Sequence, residues 1–211
     1  MRSSSCDNYT VQTVQFGTAD IPRSCGKPGM MGGMPRKPVA RDAVLDAFES
    51  LLIEVGERAA TLDAVARKAG VSKGGLLYHF PNKEALIAVL LDRLEGLAKA
   101  DADAMASASE GAAAYFIRSS VWADTPLDRA IVAATRLAEV AHEETRRRFA
   151  AIQQRWLDEI AADVGPGLAK AVLYMGDGLY FNAMLSVAPA PEGGGAADVG
   201  ELLAALERLR R

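Results

Sequence analysis

Lys73, Gly75, Leu77, Tyr78 and His79 follow Ser72 in one short run, with Lys83 close behind. Their chemistry suits a nucleic acid. An ammonium can bond the acceptor edge of guanine, a glycine admits a base closely, and a leucine suits a thymine methyl. Tyr78, His79, Lys83 and the backbone amides around Thr61 suit phosphate oxygens, which position a protein without reading sequence. Between Ala64 and Lys83 stand the cations Arg67, Lys68, Lys73 and Lys83 and no acid, in a chain whose net charge is -3. A polyanion would be drawn to this stretch.

Two short helices are needed to hold these side chains. Thr61 is a good N-cap, and Leu62, Val65, Ala66 and Ala69 recur at helical spacing. Gly70 stops that helix, because glycine takes the left-handed conformation of a C-terminal turn. Ser72 offers a hydroxyl to cap a second helix from Lys73 to about His79, which ends before Pro81. Helix, glycine-containing turn and helix make a helix-turn-helix, whose second member lies in the major groove of DNA.

TLDAVARKA followed by GVSKGGLLYHFPNKEAL is similar to the signature of the TetR family of bacterial transcriptional regulators, from about Pro38 to Leu97. The pattern departs at Leu77, where that family commonly has a tyrosine that touches bases. The resemblance implies an all-α chain: a three-helix helix-turn-helix domain at 38–98 and a helical ligand-binding and dimerisation domain at 99–211. It also implies a homodimer on an inverted-repeat operator in double-stranded DNA, released by a small-molecule effector, with repression as the family default.

With 211 residues, 50% of them apolar, the chain can bury a core. No stretch reaches the roughly 18 to 20 apolar residues that span a bilayer, and no apolar signal core opens the chain, so a cytoplasmic protein without membrane contact is expected. Cys6 and Cys25 both precede the helical part, which leaves it without a disulfide, and nothing calls for a metal or cofactor. Residues 101–211 carry 11 basic and 16 acidic side chains, a balance that should keep this half off DNA. Residues 1–35 lack helical periodicity and read as a disordered tail or a non-native extension, with a natural start at Met34. Thr10–Phe16 alternates like a strand but has nothing to pair with. Arg36, Lys37 and Arg41 could form a basic arm over a phosphate or minor groove.

Val44, Ala47, Phe48, Leu51, Leu52 and Val55 give the first helix its buried stripe. Asn82 caps a long helix reaching about Ala106, the mechanical link between the two halves. Helical spacing then runs from Glu110 through Trp122, and Thr125-Pro-Leu-Asp128 is a capping box. Phe149, Ile152, Trp156 and Ile160 form a further stripe. Arg146, Arg147 and Arg148 beside Glu143 and Glu144 read as a surface ion-pair face. The candidate lining of a ligand cavity is Phe116, Trp122, Phe149, Trp156, Met175, Asp177 and Asn182. Asp177, in an otherwise apolar helix, needs an arginine or a cationic ligand as partner. A helix at about 167–187 is apolar on nearly every side and a last amphipathic helix runs at about 197–210; pairing of both with their twofold mates would cover them.

Two other readings use the same residues differently. A helical enzyme built on His142, Glu143 and Glu144 lacks the spacing of a zinc motif and a phosphate-cradling glycine loop. A non-specific DNA-binding or adaptor protein would use the same helices without a ligand.

Overall fold

The computed structural model describes residues 37–139, 143–185 and 194–210. The expected tail and strand near the N-terminus, Arg36, His142 and the loop opening at Pro189 lie outside them. The described residues fall within one compact unit, Pro35–Arg211. The described residues contain helices and no strand: α1 (Lys37–Val55), α2 (Leu62–Lys68), α3 (Lys73–His79), α4 (Lys83–Ala106), α5 (Ala112–Ser119), α6 (Pro126–Ala138), α7 (Glu143–Val164), α8 (Pro166–Leu185) and α9 (Gly194–Leu209).

Local signals set most boundaries. Thr61, Ser72 and Asn82 each accept a bond from the backbone amide three residues on, at 3.2, 3.0 and 2.9 Å, so α2, α3 and α4 all begin at side-chain caps. The box at Thr125 is complete, with Asp128 Oδ2 accepting from the Thr125 amide. Gly70 has φ +68°, the left-handed geometry that lets the chain leave α2 and enter α3 within a few residues.

Phe48, Leu52, Val65, Leu76, Phe80, Leu86 and Leu90 are fully buried or nearly so and pack α1 through α4 around one centre. α4 continues past this centre, and its later buried residues, Leu94, Ala98, Ala102 and Met105, enter the core of the C-terminal helices. One rod thus contributes to both halves. Arg41 is not part of an extended arm. It lies inside α1 with its guanidinium 5.7 Å from the centre of the Phe80 ring, because the helix begins before it at Lys37.

Ion pairs tie the rod and the first helix to the rest. Arg148 on α7 reaches α4, bonding Glu95 at 2.5 Å and Asp92 at 2.6 Å, and that bond holds the Glu95 carboxyl below its ordinary range. Arg146 and Arg147 pair with Glu143 and Glu144 on their own helix, as their spacing predicts, but Arg148 crosses between helices. Glu49 of α1, 4% exposed, is held by Arg129 of α6 at 3.1 Å and by Arg93 of α4 at 3.5 Å.

Candidate functional site

The second short helix presents two different sides. Leu76 and the following Phe80 are buried against α1 and α2, which fixes the roll of α3. Lys73, Gly75, Leu77 and Tyr78 then face outward; Leu77 is 37% exposed and Tyr78 69%. The leucine and tyrosine thus stand exposed side by side on a seven-residue helix. His79 closes the helix, half-buried, with its ring edge-on to Tyr78 at 5.1 Å. Thr61 and Ser72 spend their hydroxyl oxygens as cap acceptors, and each hydroxyl proton remains able to donate to an anion. A Cβ at Gly75 would lie 3.2 Å from Ser72 Oγ, so a side chain there would crowd the cap.

The run of cations is less exposed to a partner than its sequence implies. Acids from just outside the run fold back on it: Glu54 on Lys68 at 2.8 Å, Asp63 on Lys73 at 3.0 Å, and Glu57 on Lys83 at 2.7 Å. Lys73 and Asp63 are both well exposed, and such a pair holds loosely. Lys83 is placed otherwise than expected. Its ammonium is largely buried and also donates to the Glu57 backbone carbonyl at 2.6 Å, bracing the start of α4 against the turn after α1. A phosphate would have to displace both acceptors.

A second feature lies among the C-terminal helices. α5, α6, α7 and α8, with Asp101 of α4, enclose a cavity of about 880 Å³. Phe116, Phe149, Trp156 and Asp177 line it as expected, joined by Tyr115, Gln153 and Tyr180. Gly176 lets α8 approach α5 at this wall: a Cβ there would fall 2.5 Å from Ser120 Oγ and 2.8 Å from Phe116 Cδ1. Burial pushes the Asp101 carboxyl up, against the bond it accepts from Tyr115 at 3.1 Å. Asp177 is also pushed up by burial, with Gln153 Nε2 at 3.4 Å. Tyr180 is raised by burial first and then by Asp128, so its phenol stays a donor, at 3.0 Å from Asp128 Oδ1.

Comparison with known proteins follows the same division. A model of bacterial regulatory proteins of the tetR family matches residues 44–90, and one of the tetracyclin repressor-like C-terminal domain matches 110–209. The regulator BetI of Rhizobium meliloti is 30% identical over 166 residues, spanning 72% of this chain and 82% of BetI. The chain belongs to the TetR family. SrpR of Pseudomonas putida, an HTH-type transcriptional regulator, is 42% identical over 66 residues, 28% of this chain, and that match spans 31% of SrpR. The solved structure of a putative transcriptional regulator from Saccharomonospora viridis, in complex with choline, has a TM-score of 0.63 at 16% identity and covers 78% of this chain and 95% of that one. These relatives are described as regulators, not as enzymes.

Within this TetR-family fold, three expected cavity residues fall elsewhere. Trp122 lies beyond the end of α5 and is 39% exposed, its ring tilted against Tyr180 at 6.3 Å. Met175 and Asn182 sit on α8, whose lining positions are 176, 177, 178, 180 and 181. Neighbouring positions on a helix are rotated by about 100°, so Met175 turns toward the core and Asn182 outward. Asp128 does more than its spacing as a cap predicts: it is 6% exposed and lines the cavity while capping α6. Tyr115 and Tyr180 belong to no motif, and only the packing shows that their hydroxyls turn to Asp101 and Asp128. Among the described residues no group of three or more His, Cys, Asp or Glu is placed to hold a metal, and no helix is long and apolar enough to cross a membrane.

Proposed function

We propose that the protein is a DNA-binding transcriptional regulator of the cytoplasm, a repressor that acts as a homodimer on an inverted-repeat operator and is released by a small molecule. The observation that carries this is the outer side of α3, where Lys73, Leu77 and Tyr78 stand exposed above a buried Leu76. Lys73 and Leu77 read base edges; Tyr78, His79, Thr61 and Ser72 hold phosphates. Lys73 exchanges its exposed bond to Asp63 for a base acceptor. Lys83 serves the head's stability in place of the phosphate contact expected of it.

The effector enters the cavity bounded by Asp177. Its volume falls in the range of small-molecule sites, roughly 300 to 1,000 Å³, and the structural relative that holds choline supports a small organic occupant. To release DNA the effector must bind the DNA-incompetent arrangement more tightly than the competent one. α8 leaves Tyr174 and Phe181 largely exposed and α9 leaves Leu209 so, which supports a second copy packed there.

Footprinting upstream of neighbouring genes tests the reading. A single protected inverted repeat, bound far more tightly than random duplex at the same salt, is expected. Equal affinity for both would favour a non-specific DNA-binding protein.

A further inference from the structure

The chemistry of the proposed effector is legible in how the cavity's charges are satisfied, and this inference rests on the cavity being the effector site. Asp101, Asp128, Glu139 and Asp177 line the cavity against one cation, Arg136, which pairs with Glu139 at 3.4 Å with both side chains well exposed. Asp128 is fully served, accepting from the amides of Ala123 at 3.1 Å and Thr125 at 2.9 Å and from Tyr180 at 3.0 Å. Asp101 accepts from Tyr115. Among the described residues, Asp177 has only the long bond from Gln153, at 3.4 Å, on a helix with few other polar groups.

A carboxylate taken partly out of water needs several donors or an opposite charge. No arginine or lysine forms an ion pair with Asp177 among the described residues, and the wall around it is aromatic: Phe116, Phe149, Trp156 and Tyr180. Ring faces attract cations, most strongly where water is excluded. Trp156, 6% exposed, turns its indole N–H toward the Asp101 carboxyl and, with Tyr115, works against the rise that burial imposes on it, so Asp101 has donors of its own. Metal ions are the wrong size for about 880 Å³ lined by rings.

We propose that the effector is a bulky organic cation, with Asp177 as its counter-ion and the faces of Phe116, Phe149 and Trp156 around its apolar body. Asp101 and Asp128 are held by their own donors and shape the negative field without ion-pairing directly.

The test uses tetraphenylphosphonium and tetraphenylborate, nearly equal in shape and opposite in charge. The chain has two tryptophans, so Trp122→Phe leaves Trp156 in the cavity wall as sole fluorescent reporter. The phosphonium ion is expected to quench it saturably, with the borate ion binding at least about tenfold more weakly, a difference near 1.4 kcal/mol. Asp177→Asn should lower phosphonium affinity about tenfold while neutral Nile red binds as before. Equal binding of the two ions, no saturable binding of either, or an Asp177→Asn protein that keeps its phosphonium affinity overturns the assignment. The ion pair comparison needs no substitution at Asp177, so it stands even if that variant folds poorly. Duplex binding by the same preparations keeps the two readings apart: DNA binding without cation preference removes the cation alone, whereas no DNA binding strikes the regulator reading itself.

Discussion

At the scale of single residues, Lys73 and Lys83 look alike in sequence and differ in surroundings. Lys73 is exposed and loosely paired, so Lys73→Ala should leave the urea midpoint nearly unchanged and weaken operator binding by about 1 to 3 kcal/mol, with preference relaxed at one base position. Lys83 is wedged between a carboxylate and a carbonyl, so Lys83→Ala should cost about 1.5 to 3 kcal/mol of stability and leave the salt slope of DNA binding as it was. A slope flattened by about one unit in Lys83→Ala would restore it to the phosphate contacts. Asp177 allows a prediction of opposite sign. Its folded carboxyl lies above the ordinary value of 3.8 through burial. The folded state therefore binds a proton more readily than the unfolded one, and its stability falls as pH rises from 3.8 through the raised value. Asp101 titrates in the same sense. Asp177→Asn should remove its share of that fall and raise the neutral-pH midpoint of thermal unfolding by about 2 °C. A lowered midpoint would mean that Asp177 contributes to the fold itself.

Among the elements, the join between α1 and α6 is where the cavity meets the head. Asp128 lines the cavity, and the next residue, Arg129, donates to Glu49 at 3.1 Å and to Ser50 Oγ at 3.0 Å on α1. These bonds join the start of α6 to the helix that packs against α3, a route by which the proposed effector would act on the head. Arg129→Met should destabilise by about 3 kcal/mol, since it leaves Glu49 buried with only the longer bond from Arg93. Glu49→Gln in the same chain should recover part of that loss, and a double-mutant cycle in urea checks the coupling. If the losses simply add, the two residues are not coupled and the join carries no signal. None of this was legible in the sequence, because residues 49 and 129 lie far apart and neither has a motif. What was legible is local: the caps at Thr61, Ser72 and Asn82, the turn at Gly70 and the box at Thr125 act within four residues, and helix boundaries follow from them. The α8 lining was half legible. Asp177 stood out by type, but choosing Gly176 and Tyr180 over Met175 and Asn182 requires the roll of the helix against α5 and α7, which partners determine.

For the whole molecule, the proposed homodimer would have to hold its two heads at the spacing of two half-sites, about 34 Å or a multiple. Among the C-terminal helices, α8 leaves two large apolar side chains exposed in its described part. Its exposed side carries Ala171, Tyr174 and Phe181, small residues and rings that admit a close partner helix. Ala171 projects away from the chain's own core, so Ala171→Arg should leave each chain folded, with unchanged helical circular dichroism, and place a charge against its twofold mate. Sedimentation equilibrium should then report one chain, where two are expected of the unsubstituted protein. Loss of the second head converts an intramolecular contact back into a bimolecular one, so affinity for the full inverted repeat should fall by at least about a hundredfold. Binding to a duplex with one half-site should hardly change, because α3 and its caps are untouched. An Ala171→Arg protein that remains a dimer would move the interface to another face. One that becomes monomeric yet keeps its affinity for the inverted repeat would show that a single head reads the operator unaided.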